Sequence, residues 1–170
     1  MSTLTNRILG SARLDSQSYE EVETDSFANL QAVGVVLCSS LAAAIGTGLK
    51  DIGSILQLLI AALVSWILWV LLTLFIGARL MPGNKTQADF GQVLRTTGFS
   101  TSPGILRVFG FLPGVGWFIF AGATLWMLFS FVVAIRQALD YTSTLRAVAV
   151  CLLGWIVHGL LFFGFVLTAL

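Results

Sequence analysis

The sequence is short of charge. Only 10% of its 170 residues are Asp, Glu, Lys or Arg, against about 25% in soluble domains. With 57% of the chain hydrophobic, that shortage excludes an ordinary soluble globule and implies an integral membrane protein. A net charge of +1 supplies no basic face for nucleic acid. Histidine occurs once and cysteine twice, too few for a closed metal site of about four ligands. Cys38 and Cys151 lie inside apolar runs and are expected to be buried, reduced, small hydrophobes. No serine or cysteine nucleophile stands near a base. "GFLPGVG" (110–116) is glycine-rich, but it lacks the lysine and preceding strand of a phosphate loop. Residues 1–24 contain no apolar run. We therefore expect no cleaved signal peptide, with the first span inserting as its own signal. The long apolar runs hold no Asp or Glu. Every acid lies at 15–25, 51, 89 or 140, which argues against an ion-coupled pump.

What is present is a set of charge-free runs at 26–49, 52–78, 108–135 and 147–170. Each exceeds the roughly 20 residues a helix needs to cross the hydrocarbon. Residues 79–114 decide whether there is a fifth crossing. With the N-terminus inside, a fifth span puts Arg7, Arg13, Arg79, Lys85, Arg95, Arg136 and Arg146 in the cytoplasm and only Lys50 and Arg107 outside. Without it the split is 6:3. The positive-inside rule favours five spans and an external C-terminus.

The expected architecture is thus an all-α polytopic bundle. A cytoplasmic amphipathic segment, 1–25, precedes a membrane domain, 26–170, with spans near 27–49, 53–78, 88–112, 115–136 and 145–168. Short surface helices are expected in the first segment, where Ser18 and Glu21 make a capping-box pattern and Tyr19 and Val22 share a face. Five of the eight acids lie there. Their face is either solvated or docked on the basic loops carrying Arg79, Lys85, Arg136 and Arg146. The first span is rich in small residues and is expected to be central. The second is bulky and is expected to face lipid.

The third segment is the unusual one. "GFSTSPGILRVFGFLPGVG" (98–116) holds two of the three prolines and five of the seventeen glycines. From Phe99 to Leu112 an α-helix would reach only about 21 Å of the roughly 30 Å hydrocarbon. The crossing requires an earlier start, and Thr86 with Asp89 resembles a capping box. Phe90, Val93, Leu94 and Thr97 then share one face. Pro103 is expected to break this helix and Pro113 to end it. Ser100, Thr101 and Ser102 are placed to satisfy the freed carbonyls. Breakers of this kind are tolerated where other helices, and not lipid, surround them. The segment is therefore expected to be internal and to organise the bundle. Arg107 has two outlets: snorkelling to the headgroups, or an ion pair with Asp51, the only acid on the expected outer side. Gly110 and Gly114 form a GxxxG near the helix end.

His158 is expected to meet a hydroxyl or carbonyl on a neighbouring helix and to hold no cofactor. A pigment or haem ligand is the alternative, because Gly154 and Gly159 beside it would leave room for a ring. Trp66, Trp69, Trp126 and Trp155 lie inside spans, where packing with an indole N–H partner is the default.

Gly98, Phe99 and Pro103 also carry a resemblance. Their Gly-aromatic-x-x-x-Pro pattern in the third segment, "LDSQSYEEVETD" before the first span, and "YTSTLRAVAV" leading into the last resemble the Yip-domain family. These are Ypt/Rab-interacting membrane proteins, and the likeness is to their short bacterial-type forms. It implies about five clustered spans after a cytoplasmic N-terminus and marks Gly98, Phe99 and Pro103, which join Arg107, Pro113 and Asp51 from the reading of the residues as candidate structural or interaction residues. The family's eukaryotic Asp-Leu-Tyr-Gly-Pro motif is absent here, so a Rab-type GTPase partner is not supported. The expected role is a non-enzymatic scaffold or adaptor that meets membrane lipids, other membrane proteins or itself. A small transporter or channel, and an accessory subunit of a redox or photosynthetic complex, are the rivals.

Overall fold

The computed structural model describes residues 3–83, 86 and 88–169, with side chains through residue 160. Among the described residues the chain is helical throughout, with no strand. Helices α1 (Leu4–Ala12) and α2 (Ser16–Thr24) form an N-terminal hairpin. α3 spans Ala28–Gly46, and α4 spans Ile52–Phe75 and runs on through a π-turn, Ile76–Leu80. α5 (Phe90–Ser100) passes into a 3-10 helix, Ser102–Phe111. α6 (Gly116–Ala138) and α7 (Thr144–Ala169) complete the bundle. By length and composition, Ala28–Gly46, Ile52–Leu80 and Gly116–Ala138 can each cross a membrane. The described part of α7, Thr144–Leu160, is apolar but shorter.

α5 and the 3-10 helix sit at the centre. α5 packs against α1, α2, α3, α4 and α6, and the 3-10 helix packs chiefly against α3 and α6. From Arg95 to Ser100 every residue of α5 is buried. Such a helix has no face left for lipid, and its neighbours must be small where they touch it. Gly98 marks a close approach of α3 and α4 to α5. A Cβ there would stand 2.7 Å from Ala32 Cβ and 2.9 Å from Trp66 Cζ2. α3 supplies the matching small residues, with Ala28, Ala32, Ala44 and Gly46 all buried. α4 instead turns Leu56, Ile60, Val64, Ile67, Leu71 and Phe75 outward, at spacings of three and four that make one continuous apolar stripe. The division between a small-residue central helix and a bulky peripheral one follows the grain of the sequence.

The switch from α to 3-10 winding has local causes. Pro103 lacks a donor and sits in the first turn of the 3-10 helix. Ahead of it, Thr101 N bonds to Gly98 O at 3.2 Å and Gly104 N to Thr101 O at 2.9 Å. Ser100 Oγ donates to Thr97 O (2.6 Å) and Thr101 Oγ1 to Gly98 O (2.7 Å), so the end of α5 carries its own hydroxyl partners. Ser102 Oγ, expected to help, is instead buried without a partner among the described residues. The 3-10 form also changes the reach. It rises about 2.0 Å per residue against about 1.5 Å, so Phe90 to Phe111 has a contour length of about 36 Å.

Four sequence expectations need correction. The capping box is formed by Asp89 and Gln92, not by Thr86 and Asp89. Asp89 Oδ1 accepts from Gln92 N at 2.8 Å, and Gln92 Oε1 from Asp89 N at 2.7 Å. Thr86 instead ties a loop together, accepting from Gly83 N and donating to Leu139 O. At α2 the cap is Asp15, which accepts from Gln17 N and Ser18 N, and not Ser18. Of the two free cysteines, Cys151 is buried but Cys38 is exposed on the outer side of α3. Trp126 is also 41% exposed, although its Nε1 donates to Ala12 O at 2.8 Å.

Gly98→Ala should destabilise the bundle by roughly 1–3 kcal/mol, because the new methyl group has no room. Gly34→Ala, with nothing within 4 Å of the added carbon, should be neutral or stabilising by up to about 1 kcal/mol. Thermal midpoints of the two variants in one detergent check the contrast.

Candidate functional site

Two polar constructions lie on the central segment. The first holds the N-terminal hairpin. Arg95, 7% exposed, projects from α5 to the C-terminal end of α2. Its Nε donates to Val22 O (2.9 Å) and Glu23 O (3.1 Å), Nη1 donates to Asn29 Oδ1 (3.1 Å), and Nη2 also donates to Glu23 O. The last carbonyls of a helix carry partial negative charge and lack intrahelical donors, and a guanidinium fork suits them. Arg7 of α1 completes the clasp, ion-paired with Asp25 at 2.6 Å and bonded to Gln31 at 2.9 Å. That bond to Arg7 is the main reason the Asp25 carboxyl is held below its ordinary range. On the other side, Tyr19 is fully buried, with its hydroxyl 3.0 Å from Ser130 Oγ of α6, which donates in turn to Ser11 O at 3.0 Å. Burial pushes the Tyr19 phenol above its ordinary range.

The hairpin is therefore docked, through bonds to Arg95 and Ser130 that the sequence did not single out. Lys85 lies outside the described residues. Arg136 donates to Tyr141 O, and Arg146 to Pro82 O. Gln137 of α6 supplies the contact to Glu20, at 3.0 Å. Arg95 was missed because its spacing puts it off the apolar face Phe90–Val93–Leu94–Thr97. Phe90 of that face is exposed. The readable signal was the run of small and hydroxylated residues after Arg95, which leaves no lipid-facing side.

The second construction surrounds Arg107. Its Nη2 donates to Ser39 O (3.0 Å) and Ser39 Oγ (2.9 Å) of α3, and its Nε to Gly104 O (3.1 Å). The guanidinium carbon lies 5.6 Å from the centre of the Phe120 ring. Among the described residues it forms no ion pair with Asp51, and its bonded nitrogens turn to α3 and the 3-10 helix. The Asp51 carboxylate caps α4, accepting from Ser54 N (2.7 Å) and Ser54 Oγ (2.9 Å). Those bonds hold its carboxyl below the ordinary range. Arg107 is drawn inward because α3 and the 3-10 helix approach so closely at glycine. A Cβ on Gly104 would overlap Ser39 Oγ of α3, and one on Gly110 would fall 2.9 Å from Gly46 O. Gly114, the other half of the expected GxxxG, is at φ +79° in the turn after Pro113, where an added Cβ would meet nothing within 4 Å.

Beside Arg107 is a cavity of about 360 Å³. Ser39, Ser40, Thr101 and Arg107 line it from α3 and the central segment, and Ser65 and His158 from α4 and α7. Trp66, Trp69, Phe131 and Trp155 form its apolar walls. Trp66 is fixed by donating Nε1–H to Thr97 Oγ1 at 3.0 Å. His158 Nε2 lies 3.2 Å from Ser65 Oγ, the hydroxyl expected on a neighbouring helix, and its ring meets Trp69 edge-on. Of the candidate residues, Gly98, Phe99, Pro103 and Arg107 share the central segment. Phe99 is fully buried in the apolar core. Pro113 and Asp51 lie in separate exposed turns. Among the described residues no group of three metal-ligating side chains occurs.

An all-helical membrane protein organised on a buried, proline-containing segment is the class these features define. The Yip1 domain profile matches residues 18–166, and the chain belongs to the Yip1 domain family, which is not known as an enzyme family. No curated protein and no solved structure matches the chain.

Arg95→Met should free α2, since hydrogen bonds to a charged group contribute roughly 1.5–3 kcal/mol each. Loss of amide-exchange protection confined to α1 and α2 checks it. Docking should also depend on pH through Glu23. Burial, and then the charge of Asp140, push its carboxyl up from 4.5 to about 7, against the pull of Arg95. Glu23 therefore favours docking fully below about pH 4.5, and that contribution is lost as pH rises through about 7. Protection of α2, corrected for intrinsic exchange, should fall between about pH 5 and about pH 8, and the fall should shrink in Glu23→Gln.

Proposed function

We propose that the chain is a non-enzymatic scaffold or adaptor that binds other membrane proteins, or further copies of itself, and organises the bilayer around it. The carrying observation is where the polar chemistry goes. Arg95, Arg107, Tyr19 and Ser130 are engaged with carbonyls and hydroxyls of neighbouring helices, and Thr97 accepts from Trp66 of α4, which locks the helices together. Ser65 meets His158, but among the described residues no third group bonds His158 Nδ1 to orient it as a base. The outward surface is apolar, above all the α4 stripe from Ile52 to Phe75. A rigid interior with an apolar exterior suits binding in the plane of the membrane. Membership of the Yip1 domain family supports the same role. A Rab-type GTPase is no part of it, because the Asp-Leu-Tyr-Gly-Pro motif is absent from the sequence.

In this reading five segments cross, the third being α5 with its 3-10 continuation, whose contour of about 36 Å exceeds the hydrocarbon thickness. The distribution of Lys and Arg supports a cytoplasmic N-terminus and an external C-terminus. The likeness to short bacterial-type forms supports a bacterial inner membrane.

A reporter fused after Leu170 should be active outside the cytoplasm, and cytoplasmic activity would sink the five-span topology. Photo-crosslinkers at Ile60 and Val64, on the α4 stripe, should capture one discrete membrane protein or a second copy of this chain. Crosslinks to lipid alone, at these positions and around the rest of the exterior, would remove the scaffold reading.

A further inference from the structure

We propose that the cavity beside Arg107 binds an anionic amphiphile, with the head at the guanidinium and the acyl chain along the tryptophan wall. The first ground is charge. Arg107 is half-buried, and its bonds go to Ser39 and Gly104, all neutral acceptors. The long apolar runs contain no Asp or Glu, so no acid from them can neutralise it. Asp51, the nearest candidate in sequence terms, is committed to Ser54. A half-buried cation without a counter-ion has a desolvation cost that nothing offsets, and an anion entering from outside removes that cost. Among the described residues Nη1 has no hydrogen-bond partner, so donors remain for a carboxylate or phosphate oxygen.

The second ground is the lining. Hydroxyls of Ser40, Ser65 and Thr101 share the cavity with Arg107. Ser40 and Thr101 already donate to Val36 O and Gly98 O, and Ser65 lies beside His158. They make the head region polar without adding charge. Beyond them the walls are indole and phenyl rings, and the cavity is within the range of about 300–1,000 Å³ usual for ligand sites. A small hydrophilic anion would leave those rings without contacts. In a bilayer, the anions that also bring an apolar chain are fatty acids and acidic phospholipids. They share the needed chemistry, an anionic oxygen head on an acyl chain.

The purified full-length chain in a neutral detergent supplies its own probe, since Trp66, Trp69 and Trp155 line the cavity. Dibromostearate, brominated phosphatidylglycerol and brominated phosphatidylcholine are titrated in parallel, reading tryptophan quenching. Saturable quenching by an anionic probe, at least about tenfold tighter than by the neutral lipid, is expected. Preference for dibromostearate identifies a fatty acid, and preference for phosphatidylglycerol an acidic phospholipid. Arg107→Gln should weaken the anionic probe by about tenfold or more and leave phosphatidylcholine unchanged. Should Arg107→Gln fail to fold, Ala62→Trp, which fills the cavity from α4 and keeps the cation, should abolish saturable quenching by the anion. Equal quenching by all three probes, or undiminished anionic binding in whichever variant folds, overturns the site. Inorganic phosphate displacing dibromostearate at comparable concentration also overturns it, because the acyl chain would then contribute nothing. The lipid site does not depend on the scaffold role: loss of lipid in Arg107→Gln with crosslinks at Ile60 intact separates the two.

Discussion

A backbone group in hydrocarbon must find its partner within the protein, and that constraint decides how this bundle is built. Residues 98–116 carry two prolines and five glycines, so they cannot satisfy themselves as an uninterrupted α-helix. They are enclosed instead. Ser100 and Thr101 donate to carbonyls at the end of α5, Trp66 donates to Thr97, and α3 approaches at Gly98, Gly104 and Gly110 until there is no room for a side chain. The small-residue surface of α3 follows from this need, as does the exile of bulky residues to the outer face of α4.

The N-terminal hairpin depends on the same segment. Arg95 is held by carbonyls and an amide oxygen, none of them formally charged. The bulk of its energy must come from geometry: several short bonds at a helix terminus, with water excluded. The Glu23 carboxyl, close to that clasp and to Asp140, is pushed by burial up to about 7, into the physiological range. The hairpin's attachment is thereby open to local pH, while the Tyr19–Ser130–Ser11 chain on its other side holds one form across that range.

The helices were readable from the sequence because charge is so expensive in lipid that its absence marks them. The Gly-aromatic-x-x-x-Pro pattern pointed to the segment that proves central, and Tyr19 with Val22 to the face that is buried. What was not readable is pairing. Asp51 looked like the natural partner of Arg107 by charge and expected depth. Yet a carboxylate one residue ahead of a helix is drawn to that helix's own amides, and Ser54 is covalently close while Arg107 is not. Arg95 escaped because apolar periodicity finds stripes, and a helix buried on every side has none. Cys38 and Trp126 show the converse: in a membrane bundle the outside is apolar too, so hydrophobicity alone does not tell interior from exterior.

A 3-10 helix turns once every three residues, so side chains three apart stand in register. Gly104, Arg107 and Gly110 thus fall on one straight line along Ser102–Phe111, and that line lies against α3. Leu106 and Phe109 fall on another, and both are exposed. Wound as an α-helix, the same residues would drift about 60° at each step of three, carrying Gly110 out of contact before Arg107 had reached Ser39. The 3-10 pitch of Ser102–Phe111 is therefore a phase control, which keeps two glycines and a cation aligned on a single seam.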